Sequence, residues 1–130
     1  MNQTELASRF VSVADLPWKP TGCPGVDMKV LMEDKESGLL TALFRWQPGS
    51  ELPLHEHVEI EQTYVLEGSI VDDEGEVRKG DYVWRPKGNR HVARSPNGAL
   101  VLGMFAAECV LNKIWSNYPT LNGAMLIPLT

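Results

Sequence analysis

The 130-residue chain has only three histidines and two cysteines. No Cys-x-x-Cys pair occurs, which excludes a finger-type thiolate zinc site. Two cysteines cannot build a disulfide framework either. Cys23 sits in a Pro/Gly loop and Cys109 in an apolar stretch, and both read as free thiols, Cys109 a buried one. Basic residues are in the minority: twelve Lys and Arg face seventeen Asp and Glu, for a net charge of −5. That balance argues against a nucleic-acid partner, which calls for a basic face. The longest apolar run, Ala99 to Ala107, is less than half of the roughly 20 residues a membrane-spanning helix needs. Asn2, Gln3, Glu5, Arg9 and Asp15 break up Met1 to Pro20, so no signal-peptide apolar core forms there. The expectation is a soluble, cytoplasmic protein that engages neither membrane nor nucleic acid.

Turn formers, by contrast, are plentiful. Nine prolines and eleven glycines punctuate the chain, and the segments between them are short and rich in Val, Leu, Thr, Trp and Tyr. Phe10–Val13, Val26–Met32, Leu39–Trp46, Ile60–Leu66, Ser69–Val71, Tyr82–Arg85, His91–Arg94 and Leu100–Phe105 read as strands. Short strands at this spacing predict an all-β sandwich or barrel. Pro48-Gly49, Glu67-Gly68, Glu74-Gly75, Lys79-Gly80 and Asn97-Gly98 mark tight turns. Leu111–Tyr118 reads as one helical turn. Nothing divides the chain, so residues 1–130 form a single domain, with 1–20 as a loosely attached arm.

The histidines carry the chemistry. In the segment Pro53-Leu54-His55-Glu56-His57-Val58-Glu59-Ile60-Glu61, read as the start of a strand, residues two apart share a face. His55, His57, Glu59 and Glu61 then project together, and His91 opens another strand after Pro86-Lys87-Gly88-Asn89-Arg90. Imidazole with carboxylate suits Fe(II), Mn, Zn, Ni or Cu and leaves open positions on an octahedral ion. A His-x-His pair alone would read as solvent-facing. Here the chain runs Gly49-x5-His55-x-His57-x3-Glu61-x6-Gly68, then Gly80-x5-Pro86-x-Gly88-x2-His91. At ordinary residue frequencies such a coincidence falls well below about 10⁻¹⁰ per starting point.

These stretches, at 49–68 and 80–95, resemble the paired motifs of the cupin superfamily. The second departs only at its last position, where the family often has Asn and this chain has Ser95, with Asn97 two residues on. The resemblance implies an RmlC-like fold, a small jelly-roll β-barrel or double-stranded β-helix. It maps the family's ligands for one divalent transition metal (Fe, Zn, Mn or Ni) onto His55, His57, Glu61 and His91, selecting Glu61 over Glu59. Val65-Leu66-Glu67-Gly68, Asp72-Asp73-Glu74-Gly75 and Gly80-Asp81-Tyr82-Val83-Trp84-Arg85-Pro86-Lys87-Gly88 look like ChrR-type zinc anti-sigma cupin domains and related small dioxygenases. Sigma-factor binding is not expected, because ChrR-type regulators bind sigma through a separate helical domain with its own His/Cys zinc site. Diketone-cleaving relatives hold iron with three histidines, so Glu61 is a departure from them.

Further residues follow from alternation. Thr63 shares the parity of His57 and Glu61, and Trp46, Met104 and Phe105 lie on flanking strands, so these four are candidates to line a substrate pocket. Arg85 and Arg90 read first as solvated arginines and second as anchors for a substrate carboxylate. Asp72, Asp73 and Glu74 read as a charged hairpin tip, and Trp18 and Trp115 as barrel-end covers or a dimer contact. The expected function is a mononuclear non-heme metal oxygenase of dioxygenase type acting on a small organic substrate, with Glu61 able to shuttle a proton. The alternative is a non-catalytic, ChrR-like zinc cupin serving as a sensor or ligand-binding module. Exposed sheet edges lead to the expectation of a homodimer.

Overall fold

The computed structural model describes residues 6–106 and the backbone of 124–126. Among the described residues ten strands follow one another: β1 (Lys19–Pro20), β2 (Val26–Asp34), β3 (Leu39–Trp46), β4 (Ser50–His57), β5 (Glu61–Val71), β6 (Glu76–Arg78), β7 (Tyr82–Arg85), β8 (Arg90–Ser95), β9 (Ala99–Phe105) and β10 (Ala124–Leu126). All pair antiparallel. One layer runs β1-β2-β3-β9-β5-β7, the other β10-β4-β8-β5-β6. The sheet curls into a half-barrel: the pattern of short strands predicts the all-β class, and the cupin resemblance the jelly roll. Among the described residues no helix is long and apolar enough to cross a membrane.

Period-two alternation decides which faces turn inward. Leu40, Ala42, Phe44 and Trp46 of β3 are buried, as are Ala99, Val101 and Phe105 of β9. Phe44 meets Phe105 edge-on at 5.9 Å between ring centroids, an arrangement aromatic quadrupoles favour. β5 is the longest strand and belongs to both layers. It pairs with β9 from Glu61 to Gly68, with β7 from Glu61 to Tyr64, and with β6 and β8 over its last three residues. A bulge between Val65 and Glu67 precedes the crossing, as bulges do where a strand must bend.

Three expectations change. Phe10–Val13 is not a strand: it is exposed chain leading into a 3-10 turn at Val13–Asp15, and Phe10 is 96% exposed. Among the described residues no strand pairs with this segment, and an unpaired backbone leaves its hydrogen bonds to water. Ser50–His57 is a strand of its own, separated from β5 by a bend at residues 58–60. Pro53 falls where its pairing with β8 slips, between Leu52 and His55, as a residue lacking an N–H requires. The N-terminal arm is anchored to the barrel wall, with Trp18 packed on Lys29 and Arg45 and Lys29 Nζ donating to Val13 O at 3.0 Å. Cys23 is a buried free thiol whose pKa burial pushes up. Cys109, Trp115 and the helical turn expected at Leu111–Tyr118 lie outside the described residues.

Candidate metal centre

β4 and β8 lie side by side, and their register sets His91 directly opposite His55. His57 is two residues along β4 on the same face. The chain then turns at residues 58–60, and β5 brings Glu61 back beside the pair. Three imidazoles therefore converge on one point. His55, His57 and His91 are 2%, 0% and 4% exposed, and one ring nitrogen from each lies within 4.8 Å of the others.

Hydrogen bonds show which nitrogens are free. His55 Nδ1 lies 2.7 Å from the carbonyl oxygen of Pro53, and His91 Nδ1 lies 2.8 Å from Asp72 Oδ2. An acceptor-only partner fixes the proton on each Nδ1 and leaves Nε2 with its lone pair. His57 Nε2 and His91 Nε2 face each other at 2.9 Å. Glu61 Oε2 is 2.8 Å from His57 Nδ1, on the side of that ring away from His91. Thr63 donates its hydroxyl to Glu61 Oε1 at 2.9 Å.

The three imidazoles fit a divalent transition metal. Two nitrogens about 2.1 Å from one ion and at right angles stand about 3.0 Å apart, close to the 2.9 Å observed. Burial without charge is also what ligation needs, because a protonated imidazole cannot bind an ion. Burial lowers the pKa of His55 to about 4, helped by the neighbouring imidazoles and opposed by its hydrogen bond to Pro53. Burial and the Arg85 guanidinium lower that of His91, against the pull of Asp72. For Glu61 burial acts upward, but the imidazole of His57 and the hydroxyl of Thr63 outweigh it and hold the carboxyl at about 2.

His55 and His91 form part of the wall of a cavity of about 60 Å³. By this measure one water occupies roughly 10–15 Å³, so the space suits a molecule of a few heavy atoms. Thr63, Trp46, Arg85 and Phe105 line it together with His55, His91 and Glu61, while Phe44, Leu52, Ile70 and Val101 make most of the rest apolar. Met104, one residue out of phase with Phe105, is not among the lining residues. Trp46 Nε1 is buried at this wall without a hydrogen-bond partner.

Two readings of charged residues need correction. Arg85 is not a solvated arginine: it is 8% exposed and its Nη1 lies 2.7 Å from Asp72 Oδ2. Asp72 is not part of an exposed hairpin tip, since it is also 8% exposed and holds both Arg85 and His91. The one available cue was parity in Tyr82-Val83-Trp84-Arg85, where Arg85 shares a face with Val83. Arg90 is exposed, as expected. Glu59 does not share the histidine face, because it sits in the bend and pairs with Lys87 at 3.3 Å.

A curled antiparallel barrel with a histidine cluster at the wall of its cavity defines a cupin. The chain belongs to the ChrR Cupin-like domain family, whose model matches residues 7–108. Among solved structures it is similar to an RmlC-like cupin from Ralstonia eutropha, with TM-score 0.75 and 22% identity over 82% of this chain and 73% of that one. It is also similar to an acetylacetone dioxygenase from Acinetobacter johnsonii, with TM-score 0.70 and 19% identity over 77% of this chain and 74% of that one. A third likeness is to Rhodobacter sphaeroides SigE in complex with the anti-sigma ChrR, with TM-score 0.61 and 23% identity over 71% of this chain and 49% of that one. No curated protein sequence matches the chain.

Proposed function

We propose that this cupin is a mononuclear metal oxygenase of dioxygenase type, with a divalent ion held by His55, His57, His91 and Glu61. The observation that carries the proposal is the convergence of three buried imidazole nitrogens, two of whose rings, His55 and His91, line a largely apolar cavity. A divalent ion bound there supplies Lewis acidity and, if redox-active, electrons for dioxygen. The chain's own residues do the rest. Glu61, held at about 2, is an anion at neutral pH. That suits it to holding a cation; as a proton carrier it is weak, since useful bases titrate near the working pH. Thr63 orients this carboxylate.

Charge and shape narrow the substrate. Three neutral imidazoles, one carboxylate and a divalent ion sum to a single positive charge, and Asp72 offsets Arg85. A buried site of this kind favours a small molecule with an apolar body that carries or develops one negative charge. Trp46 Nε1 offers that molecule a donor. The reading extends to a cytoplasmic homodimer: among the described residues β7 pairs with β5 only, and Tyr82 and Trp84 are 48% and 56% exposed on it.

The second reading, a non-catalytic zinc cupin that senses or binds a ligand, is favoured by membership of the ChrR-like family. Metal analysis of the purified protein, then oxygen uptake against diketones and phenolic ketones, separates the two. Iron with substrate-dependent oxygen uptake is expected. Tightly held zinc with no turnover across the panel would move the assignment to the second reading.

A further inference from the structure

Each metal-facing imidazole needs its second nitrogen anchored, and the three anchors differ. His55 leans on a backbone carbonyl two residues away, and His57 Nδ1 faces the Glu61 carboxylate at 2.8 Å. His91 is held by a side chain outside the histidine–Glu61 cluster, Asp72, in the turn that follows β5. That carboxylate is saturated. Its Oδ1 accepts the backbone N–H of Glu74 at 2.9 Å and of Gly75 at 3.0 Å. Its Oδ2 lies 2.8 Å from His91 Nδ1 and 2.7 Å from Arg85 Nη1.

We infer that Asp72, clamped by Arg85 and by the turn after β5, is the positioning residue that sets the tautomer and aim of His91. Asp72 and Arg85 touch neither reacting atoms nor ion; they act through the imidazole. An ionised carboxylate can only accept, so His91 Nδ1 must carry the proton and Nε2 must present its lone pair towards His57. Without Arg85 the buried carboxylate would keep its backbone donors but lose the cation that offsets its charge. With it, three separate parts of the chain (the β5–β6 turn, β7 and β8) meet on one group. The inference rests on the metal-binding reading above.

The test uses Asp72→Asn and Arg85→Met in the full chain. Four donors surround the carboxylate, and an amide can accept through only one of its oxygen positions, so Asp72→Asn must turn an N–H towards some of them. The ¹⁵N signals of the His91 ring in metal-free protein should show one Nδ1–H tautomer in the parent and a mixed or inverted population in Asp72→Asn. Affinity for Zn²⁺ or Co²⁺, from chelator competition, should fall 10- to 100-fold. The Co²⁺ absorption spectrum should shift. Arg85→Met should keep the tautomer and weaken affinity several-fold. A folded Asp72→Asn that keeps the Nδ1–H tautomer and binds within twofold of the parent overturns the inference alone. A parent that binds neither ion overturns it together with the metal reading. If Asp72→Asn does not fold, Arg85→Met decides, and parental affinity in that variant is the refuting result.

Discussion

Alanine at Gly68 and at Gly49 should behave very differently although the two backbones are nearly alike. Both glycines have positive φ, +74° and +85°, where an L side chain costs roughly 1–2 kcal/mol. At Gly49 nothing lies within 4 Å of an added Cβ. Restricting the unfolded chain returns some stability there, so Gly49→Ala should cost about 1 kcal/mol. At Gly68 the same Cβ would fall 2.0 Å from Gly98 O and 2.8 Å from Ala99 Cα. These are backbone atoms of the β8–β9 turn and β9, so no side chain can move aside. Relief means parting β5 from that turn by more than about 1 Å, which adds at least about 3 kcal/mol to the φ cost. Against a typical total of about 5–15 kcal/mol, Gly68→Ala should sit near the edge of folding. Urea unfolding followed by circular dichroism measures both, with the slope compared to confirm two-state behaviour. A Gly68→Ala variant within about 1 kcal/mol of Gly49→Ala would refute the close approach. The consequence reaches the site, because Gly68 lies on β5 between Glu61 and Asp72, and a strand displaced there misplaces both.

Acid should destabilise the metal-free protein earlier than carboxylates alone would require. Above pH 6.5 His55 is neutral folded and unfolded; below it the unfolded chain takes a proton that the folded site refuses until about pH 4. Stability should therefore drop from pH 6.5 towards pH 4, by about 3 kcal/mol for this group. The low pKa of Glu61 adds a contribution that is full above its unfolded value and lost as pH falls towards about 2. Urea midpoints at pH 7 and pH 4.5 check this, and equal midpoints would contradict a desolvated His55. His91→Ala should strip the protein of nearly all metal in elemental analysis, whereas Glu59→Gln, whose side chain pairs with Lys87 in the bend, should leave metal content within twofold. Full metal occupancy in His91→Ala would remove β8 from the centre.

What could be read from the chain follows how local each determinant is. Leu39–Trp46 and Tyr82–Arg85 form strands with the bounds that turn formers and alternation predict, because both signals act within a few residues. His55 and His57 face one way for the same local reason. His91 enters through the spacing of a recognised motif, since its place opposite His55 depends on a register that no single segment encodes. Alternation carried through Val58–Ile60 set Glu59 on the histidine face, but the chain bends there, and Glu61 returns on a separate strand. Asp72 and Arg85 were the least legible. Each is a charge that its own neighbourhood would assign to solvent, and burial is tolerable only because the other is buried with it. Such a pair has no one-dimensional signature: removing either member takes from the other its nearest opposite charge. A substitution that spares all three histidines can therefore still disable the centre, and Asp72 is where that argument predicts the effect will be largest.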